Sequence, residues 1–339
     1  MEVAILGATG LVGQRFVKLL EAHPWFEVKR LIASQRSKGR KFKEIVEWEV
    51  SEKIGEIRVE GLEDFLKNPD VDLVFSALPS SIAGDVEEKL AKKVPVFSNA
   101  SAHRYEGDVP ILVPEVNEKH LSLIEIQREK RNWEGFIVTN PNCSTAILVL
   151  SLKVILKFGI KNVNVVTMQA ISGAGFRGIS AMQIFDNVIP YIEKEEWKIE
   201  NESRKILGEL ENGKITPADF EISAFSTRIP VLHGHTEAVF VEVAEDIGAE
   251  EVKKAFDVFD PLKSLGLPSY AKPLVYRKIP QPRLHRNLGR GMSVVVGRVE
   301  KIGEGKIKYI TLGHNLIRGA AGGSILNAEL AYRKGILGD

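Results

Sequence analysis

Through the first 140 residues, short apolar runs alternate with stretches whose apolar residues recur at helical spacing. "EVAILGA" opens the chain as a strand. In "LVGQRFVKLLEAH", Leu11, Val12, Phe16, Leu19 and Leu20 fall on one stripe, a helix that Pro24 brings to a close. "FEVKRLIAS", "VDLVFSALP", "PVFSNAS" and "FIVTN" read as further strands, and "IAGDVEEKLAKK" as a helix. Strand, helix and strand repeated in this way predict a parallel sheet with helices on both faces. From about Leu148 the pattern changes. "NVNVVTMQA", "FEISAFSTRIPVL", "EAVFVEVAE", "MSVVVGRVE" and "KIKYITLG" are strands separated by turns or by helices such as "AEEVKKAFDVF", and "GRVEKIGEGKIKYI" reads as a hairpin closed by Gly303 and Gly305. That predicts a second, α+β domain with a mostly antiparallel sheet. "NLIRGAAGGSILNAELAYRK" reads as a closing helix whose small residues let it lie close to another element. No internal repeat, low-complexity segment or Gly/Ser linker interrupts the chain.

A length of 339 residues suits two packed domains, and 44% hydrophobic with 27% charged residues is the composition of a chain that folds unaided. Lys plus Arg number 46 against 45 for Asp plus Glu, so no net field draws the molecule to nucleic acid or an anionic membrane. Any anion must be gripped locally. The single Cys excludes a disulfide framework and a Cys-rich zinc site; no metal is expected, and a reducing cytoplasm is the natural setting. Met1 runs straight into "EVAILGATG" with no basic leader, and no apolar run is long enough to span a bilayer, so the chain reads as soluble.

"GATGLVG", Gly7 to Gly13, follows the first strand and opens the first helix. Glycines there allow a tight turn and close approach to a pyrophosphate, with helix N-terminal amides as donors, so this is a Rossmann-like dinucleotide site. About 20 residues on, NAD enzymes carry an acid for the ribose hydroxyls. Here "ASQRSKGRK" offers Ser34, Arg36 and Ser37, with Lys38 nearby, which suit a 2′-phosphate and favour NADP.

The only cysteine, Cys143, sits in "NPNCST", after a strand and a turn and at the start of a helix. The positive end of the helix dipole favours its thiolate, the form that attacks carbonyl carbon. A buried filler would sit inside an apolar run; this thiol is flanked by Asn142, Ser144 and Thr145.

Together "GATGLVG", "SNASAHR", "NPNCST", "MQAISGAG", "NESRKI", "STRIPVLHGH" and "LGHNLIRGAAGG" resemble aspartate-β-semialdehyde dehydrogenase, in the branch typical of archaea and fungi. The likeness runs from the first residues to the last twenty, in family order and spacing. N-acetyl-glutamyl-phosphate reductase shares the fold and cysteine chemistry, but its pattern has Gly where this chain has Asn142.

The resemblance implies reversible, NADPH-dependent reduction of L-aspartyl-4-phosphate to the semialdehyde with release of phosphate, through a thioester on Cys143, in lysine, threonine and methionine biosynthesis. It implies a homodimer or homotetramer, a cofactor domain of residues 1–142 plus about 315–339, and a catalytic and dimerisation domain of 143–314. Backbone amides near Asn142 and Cys143 are candidate donors to the oxyanionic states. His235 is the candidate acid/base, favoured over His233 only by the family pattern, since in a strand both would face the same way. Gln169 is implied to orient the substrate, Arg228 to bind its α-carboxylate, Glu202 its ammonium, and Arg104 with Lys205 the phosphate, Arg204 competing with Lys205. Thr9, Gly10, Leu11, Val12, Ser76, Ala77, Ser172, Gly173 and Asn315 are implied to join Gly7 and Gly13 in holding the cofactor. Alternatives are a malonyl-CoA reductase of the same fold, against which Glu202 argues, and a non-catalytic NADPH sensor with an inert thiol. The basic segment "RKIPQPRLHRNLGRG" reads as a solvated or anion-binding loop.

Overall fold

The computed structural model describes residues 1–48 and 50–338, in two compact units. One comprises Met1–Leu112, Lys119–Asn140 and the chain from Ser324 onward; the other comprises Val113–Glu118 and Pro141–Gly323.

The first unit is built on six parallel strands: β1 (Glu2–Leu6), β2 (Glu27–Ala33), β3 (Glu60–Gly61), β4 (Leu73–Ser76), β5 (Val96–Ser98) and β6 (Ile137–Thr139). Their order, β3-β2-β1-β4-β5-β6, reverses direction between β1 and β4. At such a reversal the loops leaving the two strands part and open a crevice at the carboxyl ends. On one face Ala4, Leu6, Val74, Val96 and Ile137 pack with Val86, Leu90 and Ala91 of the helix Ser80–Ala91. On the other, the rings of Phe16, Phe75, Phe97 and Phe136 run in series at 4.9, 6.0 and 5.8 Å. Burial on both faces explains why these strands read as unbroken apolar runs rather than as an alternation.

The second unit holds β7 (Ile160–Gln169), β8 (Glu209–Glu211), β9 (Lys214–Thr216), β10 (Glu221–Arg228), β11 (His235–Val243), β12 (Leu274–Tyr276), β13 (Val294–Gly303) and β14 (Lys306–Gly313). Six form one sheet, ordered β10-β7-β11-β14-β13-β12, and β8 pairs with β9 alone. The sheet is mixed: its three central pairings are antiparallel, and β10 and β12 join parallel at the edges. In β7, Val163, Val165, Thr167 and Gln169 are buried while Asn164 and Val166 are exposed, so this sheet has an inner and an outer face. The helices Cys143–Ile155, Glu195–Leu207 and Ala249–Val258 pack against the sheet. The first of these is buried from Ser144 through Leu152, as its all-round apolar sequence requires.

The closing segment departs from the single helix expected for it. Ile317–Ala321 form a wide turn with Ala320 at φ −149°, ψ −106°, and the α-helix runs only over Gly322–Arg333. Close packing is the physical reason. A Cβ on Gly319 would lie 2.9 Å from the Cα of Cys143, and the Arg318 guanidinium makes two 2.6 Å bonds to the buried Glu115 carboxylate. Residues 315–323 therefore belong with the second unit, and the return to the first begins at Ser324. The helices Leu62–Lys67 and Leu123–Arg131 and the strands β3, β8, β9 and β12 were not foreseen from the pattern; they are short or, in Leu123–Arg131, rich in charge.

Candidate active site

Cys143 is the first residue of its helix, and Asn142 is the cap. The Asn142 Oδ1 accepts from the backbone N–H of Ser144 at 2.9 Å and of Thr145 at 3.2 Å, with Asn142 itself outside the helical conformation at φ −53°, ψ 146°. Two acids of the helix Glu195–Leu207 hold the cap in turn. Glu202 accepts from the Asn142 backbone N–H at 2.6 Å, and Glu195 accepts from Asn142 Nδ2 at 2.8 Å. Glu195 also accepts from Gln169 Nε2 at 2.9 Å.

Opposite the thiol lies His235, with Nε2 3.1 Å from Cys143 Sγ. Its Nδ1 accepts from the Ala170 backbone N–H at 3.0 Å, so in the neutral ring the proton sits on Nε2 and is directed at sulfur. Burial first, then the charges of Arg228 and His314, hold the imidazole well below its usual pKa. A protonated ring would also set an Nδ1–H against the Ala170 N–H. The pair is thus arranged as sulfur accepting from a neutral imidazole, and an imidazolium–thiolate ion pair is disfavoured.

Arg228, at the end of β10, donates to the Ala170 carbonyl at 2.9 Å. Burial lowers its pKa from the ordinary value while Cys143 and Glu195 draw it back up, and a guanidinium stays charged under either influence. Gly173 lies against both partners: a Cβ there would be 2.5 Å from Arg228 Nη1 and 3.2 Å from His235 Cε1.

The two histidines that the sequence leaves together are separated by Gly234, at φ +99°. His233 precedes β11 and its Nδ1 meets Ser172 Oγ at 2.8 Å, while its ring stacks on His314. Asn315 joins this group, donating to Ser172 Oγ at 2.9 Å and accepting from the Gly234 N–H at 2.9 Å. Cys143, His235, Gln169, Asn142, Arg228 and Glu202 thus share one set of contacts, and Ser172, Asn315 and His233 share another. Of the other anticipated residues, Lys205 lies one turn beyond Glu202 and is half-buried, whereas Arg204 is exposed and donates to the Ala218 carbonyl at 3.1 Å. Arg104, in the first unit, is buried with its guanidinium on the Asn99 carbonyl at 2.9 Å. Glu195 and Gly319 are the residues that the sequence reading missed. A signal existed for Glu195: it stands seven residues before Glu202, two turns along the same helical face.

In the first unit, Gly7 to Gly10 leave β1 and Ser76 and Ala77 end and follow β4, on either side of the reversal in strand order. Gly7 has φ +72°, and a Cβ on it would fall 2.6 Å from the Ala77 carbonyl oxygen; one on Gly13 would fall 2.1 Å from the Gly7 oxygen. Only glycine fits, and the helix Leu11–Leu20 begins directly behind the loop, with Leu11 and Val12 in its first turn and Thr9 before Gly10. These residues fit a dinucleotide pyrophosphate. In the turn after β2, Ser34 and Arg36 are exposed and Ser37 is buried. The nearby acid Asp64 is paired with Lys38 at 2.6 Å, and the exposed Arg36 guanidinium is of the kind that fits a 2′-phosphate.

Residues 2–124 match the family described as "Semialdehyde dehydrogenase, NAD binding domain", and residues 152–318 match "Semialdehyde dehydrogenase, dimerisation domain". The chain is 51% identical to an aspartate-semialdehyde dehydrogenase of Archaeoglobus fulgidus over 99% of both chains. It is 38% identical to a malonyl CoA reductase (NADP) of Metallosphaera sedula, over 99% of this chain and 98% of that one. The solved structure of aspartate semialdehyde dehydrogenase with NADP from Candida albicans superposes with a TM-score of 0.88 at 38% identity, covering 99% of each chain.

Proposed function

The chain belongs to the aspartate-semialdehyde dehydrogenase family, and from that premise we propose how its own residues carry the reaction. The protein is an NADP-dependent oxidoreductase that interconverts L-aspartyl-4-phosphate and L-aspartate 4-semialdehyde, with phosphate released in the reductive direction. The observation that carries the residue assignments is the 3.1 Å approach of His235 Nε2 to Cys143 Sγ at the start of a capped helix.

Cys143 attacks the acyl carbon as thiolate, which the helix start, the Nε2–H of His235 and the Arg228 charge stabilise. The carbon–sulfur bond forms and phosphate leaves, giving a thioester on Cys143. Gly7 to Gly13, Ser76, Ala77 and the turn at Ser34 to Ser37 would hold NADPH, whose chemistry when bound is hydride donation to an acyl carbon. The resulting thiohemiacetal alkoxide returns its electrons to form the aldehyde and expels the Cys143 thiolate, so no proton need pass fully to His235. The imidazole serves as a fixed N–H donor to sulfur and to the neighbouring oxyanion, a role compatible with its lowered pKa. Arg228 suits the substrate α-carboxylate, and the acids Glu195 and Glu202 give the site the negative charge an α-ammonium seeks. Malonyl-CoA has no ammonium, which weighs against the thioester substrate of the Metallosphaera relative.

Phosphate-dependent reduction of NADP with aspartate semialdehyde, run beside NADPH oxidation with malonyl-CoA, is the test. Turnover of the first pair supports this reading, and turnover of the CoA ester alone rejects it.

A homo-oligomer joined through the outer face of the second sheet belongs to the same proposal. Phe225, Val166, Ala238 and Ile310 stand in register across β10, β7, β11 and β14, forming an apolar rib. Phe225 and Val166 are 52% and 37% exposed, and Phe240 beside them 41%. Among the described residues, no helix is long and apolar enough to cross a membrane. A thiol nucleophile must stay reduced, which suits the cytoplasm.

A further inference from the structure

The Glu195 carboxylate touches two amides of the site at one oxygen: Oε1 receives Asn142 Nδ2 at 2.8 Å and Gln169 Nε2 at 2.9 Å. We propose that Glu195 is a positioning residue that fixes which end of each amide faces the reaction, making Asn142 the cap of the Cys143 helix and Gln169 a hydrogen-bond acceptor. The proposal rests on the reading of Cys143 as the nucleophile and deepens it.

An oxygen that receives two N–H donors acts as acceptor, and an amide turned the other way would set its carbonyl lone pairs against it. With Asn142 Nδ2 committed to Glu195, Oδ1 is the end left for the N–H groups of Ser144 and Thr145, where the structure has it. Glu202 fixes the same residue by its backbone N–H, so two acids two turns apart on one helix grip Asn142 from both sides. Gln169 is committed in the same way. Its Nε2 donates to Glu195 and, at 3.2 Å, to Thr167 Oγ1, which uses both amide hydrogens. The end that remains is Oε1. Gln169 therefore receives a hydrogen bond from the bound species, from an ammonium or a hydroxyl, and does not donate to the oxyanion; that task falls to His235 Nε2–H, since the Asn142 backbone N–H, expected as a donor there, is already given to Glu202. Glu195 is buried and is the first residue of its helix, so its own placement is set by the backbone rather than by a long mobile stem.

The test compares Glu195→Met, which keeps the bulk and removes the acceptor, with Glu195→Gln, which keeps an acceptor oxygen. For Glu195→Met, kcat falls about 10- to 100-fold while KM for NADP stays within about twofold, as expected when a reacting group is misplaced and cofactor binding is not. Alkylation of Cys143 by iodoacetamide at pH 7 slows by about threefold or more as the cap loosens. Glu195→Gln recovers kcat to within about fivefold of the native protein, since the accepted bonds weaken without being lost. A Glu195→Met protein with native kcat and native alkylation rate overturns the proposal. Should native protein fail to turn over the semialdehyde, the functional reading falls, and the alkylation comparison alone still decides for or against the anchor. Should Glu195→Met fail to fold, Gln169→Glu against Gln169→Met decides. Placing an acceptor opposite Glu195 must lower kcat about tenfold more than removing the amide does, through like-charge repulsion, and equal losses overturn the proposal.

Discussion

His235 meets Cys143 through Nε2 because the Ala170 N–H already occupies Nδ1. That one backbone donor makes the ring a donor toward sulfur, while burial, then the charges of Arg228 and His314, keeps it neutral. Cys143→Ser is expected to lower kcat by about 10³-fold or more, because an alkoxide is far harder to form than a thiolate. His235→Gln, which can keep an N–H toward sulfur, should lower kcat less than His235→Ala, for which a loss of about 10²- to 10³-fold is expected when a fixed N–H donor is removed. Steady-state kinetics with alkylation rates for the three variants check both statements. The placement of the thiol at a helix start was legible in the sequence because a helix start and its polar neighbours are local facts. Spacing did not separate His235 from His233, and only the family pattern favoured His235, because alternation assumes a strand and Gly234 breaks it with a positive φ. Glu195 stayed hidden among the acids of "EKEEWKIENESRK" because its role depends on what the folded helix faces.

The wide turn at Ile317–Ala321 shows an element shaped by its contacts. Arg318 forms a two-pronged pair with Glu115, both almost wholly buried, and so ties the short insertion Val113–Glu118 into the second unit. Arg318→Ala should destabilise the protein by about 3–5 kcal/mol, since it leaves a carboxylate buried without its partner; denaturant melts measure this. Gly319→Ala should disturb the site with little change in cofactor binding, because the added methyl presses on Cys143; a loss in kcat of about 10-fold or more at unchanged KM for NADP is expected. Helical periodicity carried into "NLIRGAAGGS" gave no warning of this turn, since small residues fit an α-helix equally well.

Over the whole molecule, two buried groups on β11 set opposite limits to the pH range of stability. Burial lowers the pKa of His235, so the unfolded chain takes up a proton first, and stability is lost as pH falls from about 6.5 toward the folded value. Burial raises the pKa of Glu237, opposed by the Thr311 hydroxyl that donates to it, so stability is lost as pH rises from about 4.3 toward the folded value. Glu237→Gln should therefore raise the melting temperature at pH 8 and leave it nearly unchanged at pH 4, as scanning calorimetry will show. On the outer face, the proposed homo-oligomer predicts that Ala238→Arg lowers the assembly state in sedimentation velocity runs while each chain keeps its fold, because a charge in the middle of the rib would have no partner across a self-paired surface.

The sequence by itself determined the parallel sheet, the glycine cradle, the hairpin of β13 and β14, and the position of the thiol, because each depends on residues within a few turns of one another. Tertiary structure decided what the spacing of the two histidines left open, that His235 faces sulfur, and it alone decided which end of Gln169 meets Glu195 and that the return to the first unit begins at Ser324. Those outcomes depend on hydrogen bonds and close contacts between residues dozens to hundreds of positions apart, and the order of residues along a chain does not say which of them will touch.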